Sequence, residues 1–113
     1  MFKEINLELN KPTIEEALKK LNKELKSATK GDCLLLIHGY GSTGKGGDIK
    51  ASTLDLLYDL LKQKKISKIF TGADFSMTTG KGYNYEAIQL RSKYAELNKY
   101  AFQRNRGITV VVI

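Results

Sequence analysis

The chain has 113 residues, 42% of them hydrophobic, a formal net charge of +7 and a pI of about 9.5. That length holds one domain with a single core, and that charge suits a polyanionic partner. One cysteine excludes an internal disulfide, one histidine beside one cysteine excludes a nitrogen-and-sulfur zinc site within the chain, and no apolar run approaches the roughly 18 residues that span a bilayer. The first residues, Met1-Phe2-Lys3-Glu4-Ile5-Asn6, hold no signal-peptide core, so a cytoplasmic protein without a membrane segment is expected. The charge is uneven: residues 64–113 carry six lysines and three arginines against three acids, and the rest of the chain is close to balance.

Residues 2–9 alternate, with Ile5, Leu7 and Leu9 on one side and Glu4, Asn6 and Glu8 on the other, the pattern of a half-buried strand ended by Pro12. Thr13 and Glu16 form a capping box that starts a helix, and Ile14, Ala17, Leu18, Leu21 and Leu25 give that helix one apolar face as far as Ala28. Cys33-Leu34-Leu35-Leu36-Ile37 is apolar at every position and predicts a strand covered on both faces, with Cys33 as a small core residue. A helical pattern runs from Ile49 to Leu61, a short strand covers Ile66 to Phe70, and the β-branched run Ile108 to Ile113 is a fourth strand. The alternation of strand and helix argues parallel pairing for the first three strands.

Residues 71–107 interrupt this order. Tyr83 to Phe102 reads as one or two helices, with Ala87, Ile88, Leu90, Tyr94, Leu97 and Ala101 as candidate buried positions. The two main helices can cover only one sheet face, so part of this stretch is expected to fold over the other face or a sheet edge. Tyr83, Tyr85, Tyr94 and Tyr100 are interleaved here with Lys81, Arg91, Lys93, Lys99, Arg104 and Arg106, which suits either stacking on a nucleic-acid strand or packing of a helix onto the sheet.

The stretch from His38 to Lys50 organises the chain. Five of the ten glycines lie between Gly39 and Gly47, at the junction of a buried strand and a helix. Glycines let backbone N–H groups approach an anion, a helix N-terminus adds partial positive charge, and Lys45 and Lys50 add full charges, so phosphate binding is expected. Gly39, Gly41 and Gly44 fit a dinucleotide-binding fingerprint, but Gly46 and Gly47 delay the helix and the chain is too short for a doubly wound sheet. Gly39, Gly44 and Lys45 fit a P-loop up to its eighth position, where Gly46 replaces the magnesium-holding Ser or Thr.

A third pattern begins at His38. Ile37-His38-Gly39-Tyr40-Gly41-Ser42, continued by Gly46-Gly47-Asp48-Ile49-Lys50, resembles the HGxG signature of the small MutS-related (Smr) domain. Leu7-Glu8-Leu9-Asn10-Lys11 stands ahead of Glu16-Ala17-Leu18 as that family's first motif stands ahead of its helix, and Asn105 to Val111 resembles its closing glycine and strand. The resemblance covers the whole chain. It departs in the first motif, where Glu8 and Asn10 occupy the family's Asp and His positions.

The resemblance implies a fold like the C-terminal domain of bacterial translation initiation factor three, a nucleic-acid partner, and for some members DNA-nicking or RNA-cleaving activity. The expected architecture is a two-layer α/β sandwich over residues 1–113: a mixed four-stranded sheet, two main helices on one face, and a partly helical insertion at about 71–107. His38 would carry the proton chemistry of any cleavage, or else be a strand-end histidine bonded to nearby backbone, and Glu8 would orient it or bind a divalent metal such as Mg2+. Asn10, Gly39, Tyr40, Gly41, Ser42, Thr43, Lys45, Gly46, Gly47 and Lys50 are the candidate phosphate-binding residues. Asn10 cannot move a proton near neutral pH, so binding transfers from the resemblance more readily than cleavage does. The competing classes are a non-catalytic module that binds protein or RNA, and a nucleotide-binding protein using the same loop.

Overall fold

The computed structural model describes residues 1–10, 12–39, 45–72, 85–100 and 107–113, and the side chains of all of these except 45–48, 99 and 100. In chain order the elements are β1 (Phe2–Asn6), α1 (Ile14–Ser27), β2 (Cys33–Ile37), α2 (Lys45–Lys62), β3 (Lys68–Thr71), α3 (Tyr85–Lys93), a 3-10 segment (Ala95–Tyr100) and β4 (Ile108–Val112). The fold is mixed α/β around one four-stranded sheet in the order β1-β2-β4-β3. Among the described residues no helix is long and apolar enough to cross a membrane.

β1 and β2 pair in parallel, Phe2 opposite Cys33 through Asn6 opposite Ile37. β4 runs antiparallel to β2 on one side and to β3 on the other, with Val112 opposite both Cys33 and Lys68. The first three strands therefore point the same way, but β3 does not pair with β2, because β4 lies between them. The reason is burial. β2 and β4 are each buried at their first four positions, and two strands apolar on both faces belong at the sheet centre. β1 and β3 carry Lys3, Glu4 and Lys68, which suits edges. Lys3 reaches Glu24 of α1 at 2.6 Å, and Lys68 pairs with Glu86 of α3.

Alternation along β2 and β4 splits the core in two. Leu34, Leu36 and Val111 face α1 and α2 with Ile5, Leu7, Ala17, Leu21, Ile49 and Leu57. Cys33, Leu35, Ile108 and Val110 face the other way, where Ala87, Leu90, Tyr94 and Leu97 cover them. The insertion thus supplies the cover that β2 requires, and Tyr94 packs on Phe2 with ring centroids 5.9 Å apart. Ala101 lies outside the described residues. Burial pushes the Cys33 thiol up to about 11, so it is an inert core residue.

The helix signals act as expected at α1. Thr13 Oγ1 accepts from the Glu16 amide and Glu16 Oε1 accepts from the Thr13 amide, both at 3.1 Å. Three boundaries differ from the periodicity. β1 ends at Asn6 because its side-chain oxygen accepts from the Glu8 amide at 2.9 Å, a local turn that competes with the ladder, and Asn10 follows at φ 65. Leu9 is left 60% exposed instead of joining the core. α2 begins at Lys45, not Ile49, so Gly46 and Gly47 sit in its first turn. Glycine costs a helix least there, where the amides have no intrahelical partner anyway. Ile66 is buried ahead of β3, which starts at Lys68.

α2 closes with a left-handed residue. Lys64 has φ 61, its amide donates to Leu61 O, and the Lys65 amide donates to Leu60 O. Glycine is the usual residue at such a position. Lys64→Gly is expected to raise stability by up to about 1 kcal/mol in urea unfolding, as relief of left-handed strain outweighs the added chain entropy. Leu97 in the 3-10 segment is fully buried against β2 and β4, and Leu97→Ala is expected to cost about 2–5 kcal/mol in the same assay. A loss well under 1 kcal/mol would mean that the insertion is a loose appendage.

Candidate functional site

Three strands end and one begins at a single edge of the sheet. His38 follows β2, Gly107 precedes β4, and the segment from Leu7 to Asn10 leaves β1 there, with the Leu7 amide donating to Ile37 O at 2.8 Å. The amides of His38 and Gly39 both donate to the Gly107 carbonyl, at 2.9 and 3.1 Å. Two residues past the ladder are thereby tied to the start of β4.

The His38 ring is fully buried and spans this junction. Its Nδ1 lies 2.8 Å from Gly39 O, and its Nε2 lies 2.7 Å from Thr109 Oγ1. A carbonyl can only accept, so the proton sits on Nδ1, and Nε2 accepts from the Thr109 hydroxyl. Burial above all holds the ring's pKa below the usual imidazole value; the Gly39 bond works against this, and the Lys50 charge adds to it. The ring is neutral near pH 7 with both nitrogens engaged. A base in this position reaches a substrate only by leaving Thr109 or Gly39.

Glu8 is brought to the same place. Gly39 has φ 82, and a Cβ on it would collide with the Glu8 carboxylate. Glu8 does not orient His38 through either ring nitrogen, since both have other partners. Asn10 lies beyond Glu8, beside a cleft of about 300 Å³ lined also by Asn6, Leu9, Pro12, Glu16 and Lys20. The Lys20 ammonium donates to the Asn6 carbonyl at 2.8 Å. Lys50 is half-buried on α2, close enough for its charge to disfavour a proton on His38. The backbone of Lys45, Gly46 and Gly47 forms the first turn of α2, and Tyr40, Gly41, Ser42 and Thr43 lie outside the described residues.

The expected residues therefore divide. His38, Gly39, Glu8 and Lys50 come together at one edge with the start of α2 nearby, and Asn10 flanks them. The amide of Gly39 is spent on Gly107, whereas the first amides of α2 have no helical partner. No group of three His, Cys, Asp or Glu among the described residues is arranged to hold a metal ion. In the tyrosine-rich segment Tyr94 is half-buried packing and Tyr85 is 71% exposed, while Tyr83, Lys81, Arg104 and Arg106 lie outside the described residues. Arg91 bonds the Asn98 side chain, and the Lys93 ammonium sits 5.5 Å over the Tyr94 ring.

Thr109 and Gly107 are the participants that sequence reading missed. The available signal was Thr109 itself, a lone hydroxyl in the otherwise apolar run Ile108 to Ile113. A buried hydroxyl needs a partner, and His38 is one. Thr53 on α2 is also fully buried, and its hydroxyl has no partner among the described residues. No family model, curated protein or solved structure matches the chain, so the likeness to Smr domains rests on the motifs quoted above.

Thr109→Val keeps the shape but leaves Nε2 without a donor in a dry site. It is expected to cost about 1–3 kcal/mol in urea unfolding, and Thr109→Ser is expected to restore most of that. Equal stability of the valine and wild-type proteins would remove the Thr109 bond from any role.

Proposed function

We propose that this chain binds nucleic acid, and that the phosphate backbone is taken at the strand-end edge by the first turn of α2 and by Lys50. The supporting observation is the position of that turn. α2 begins at Lys45, six residues after Gly39, and Lys50 on it lies close enough for its charge to disfavour a proton on His38. First-turn amides that have no helical partner, the helix dipole and the Lys50 charge favour an anion together. The +7 charge adds attraction over a longer range. The likeness to Smr domains points the same way, and the same proposal puts the protein in the cytoplasm.

Binding without cleavage is the reading the geometry favours. A phosphodiester-cleaving site needs a group able to give or take a proton at the substrate, and the His38 ring is fully buried with both nitrogens bonded inside the protein. Glu8 puts a carboxylate beside Gly39, which repels a phosphate unless a cation intervenes, so a divalent ion such as Mg2+ belongs to the cleavage reading.

Fluorescence anisotropy with labelled single-stranded DNA, duplex DNA and structured RNA tests the proposal. Affinity is expected to fall steeply from about 50 to about 200 mM salt, with a slope shallower by about 1 for each of Lys45→Ala and Lys50→Ala. No binding at the lower salt would refute nucleic-acid binding, and binding untouched by both substitutions would move it off this edge. Saturable binding of ATP with none of the oligonucleotides would assign the loop to a nucleotide instead. Nicking of supercoiled plasmid that depends on Mg2+ and is lost in His38→Ala would establish cleavage through this residue.

A further inference from the structure

The junction between β2 and β4 is spanned by one titratable side chain. His38 and Gly39 donate two amides to the Gly107 carbonyl, while the His38 ring donates from Nδ1 to Gly39 O and accepts at Nε2 from Thr109. A second proton on the ring would have to sit on Nε2. That nitrogen would then face the Thr109 oxygen as a donor, and the hydroxyl would have to turn its own hydrogen elsewhere in a site where Thr109 is 1% exposed. The imidazolium would also be a full charge in a place closed to water.

The charged neighbours are few among the described residues. Lys50 opposes the proton from α2. Glu8, from the segment after β1, lies against Gly39. β4 offers Gly107 and Thr109, neither of them charged, and β2 offers only apolar residues.

We propose that this junction is a proton-operated latch, shut while His38 is neutral and releasing the end of β2 from the start of β4 when the ring takes up a second proton. The latch ties His38 and Gly39 to the start of β4. Burial first, and then Lys50, keep the shut ring from protonating at its ordinary pH. A ring released to water titrates near ~6.5. The open form therefore binds more protons than the shut form, and opening gains as pH falls through that value. Between about pH 7.5 and about pH 5.5 the opening equilibrium rises by up to about tenfold.

Amide hydrogen exchange on the wild-type protein, corrected for the intrinsic pH dependence of exchange, is the test. The His38 and Gly39 amides are expected to be less protected than that of Leu35, because they exchange through a smaller opening than global unfolding. Their protection is expected to fall about tenfold from the higher to the lower pH. Ring nitrogen shifts at the higher pH are expected to put the proton on Nδ1. In His38→Gln, which cannot titrate, the pH dependence at residue 39 should vanish; should that variant not fold, the wild-type series decides alone. Unchanged protection at both pH values, a Gly39 amide as protected as Leu35 at both, or a proton on Nε2 would overturn the latch.

Discussion

The central pair of strands, β2 against β4, is the constraint on which the rest of this molecule depends. Both are apolar on both faces, so both must be shielded twice. One demand is met by α1 and α2, and the other by α3 and the 3-10 segment. The edge strands are freed from that requirement and carry the charges. The insertion is therefore part of the core, since Ala87 and Leu97 close a face that would otherwise expose Cys33, Leu35 and Val110.

The same pair determines what the candidate site can be. Its ladder continues past Ile37 opposite Ile108 into the two amides on Gly107, so the first residues of the glycine-rich stretch belong to the sheet in their bonding. His38 is drawn inward by Thr109, one residue inside β4. What the sheet leaves exposed is Glu8 and Asn10, with Lys50 half-buried on α2. The anion site proposed for this edge would rest on the first-turn amides of α2 and the Lys50 charge, with the Glu8 carboxylate beside Gly39.

Much of the fold was legible because it is encoded locally. The capping box at Thr13 and Glu16, the apolar runs of β2 and β4, and the helical spacing of Leu57 and Leu60 each lie within a few residues. What escaped depends on partners far along the chain. No local pattern says that β4 separates β2 from β3; that follows only from comparing how apolar each strand is on its two faces. The early end of β1 was visible in principle, since Asn6 two residues before Glu8 is a turn-forming pair. The bond of His38 to neighbouring backbone at Gly39 is the one that its reading as a strand-end histidine describes, whereas its bond to Thr109, 71 residues away, was not visible from the motif. A motif histidine at a strand end looks the same on paper whether it faces solvent or the core.

The place of β4 also dictates an order of assembly. β1, α1, β2 and α2 can pair and pack as they leave the ribosome, but β3 has no sheet neighbour until β4 arrives, because β4 is the strand it pairs with. Until then the β4-side edge of β2 is open, with unpaired amides and carbonyls next to a fully apolar strand. Nascent chains in that state invite strand exchange with one another. The burden during synthesis thus falls on the interval between β3 and β4. The long insertion lengthens that interval, and a chaperone would be most useful within it.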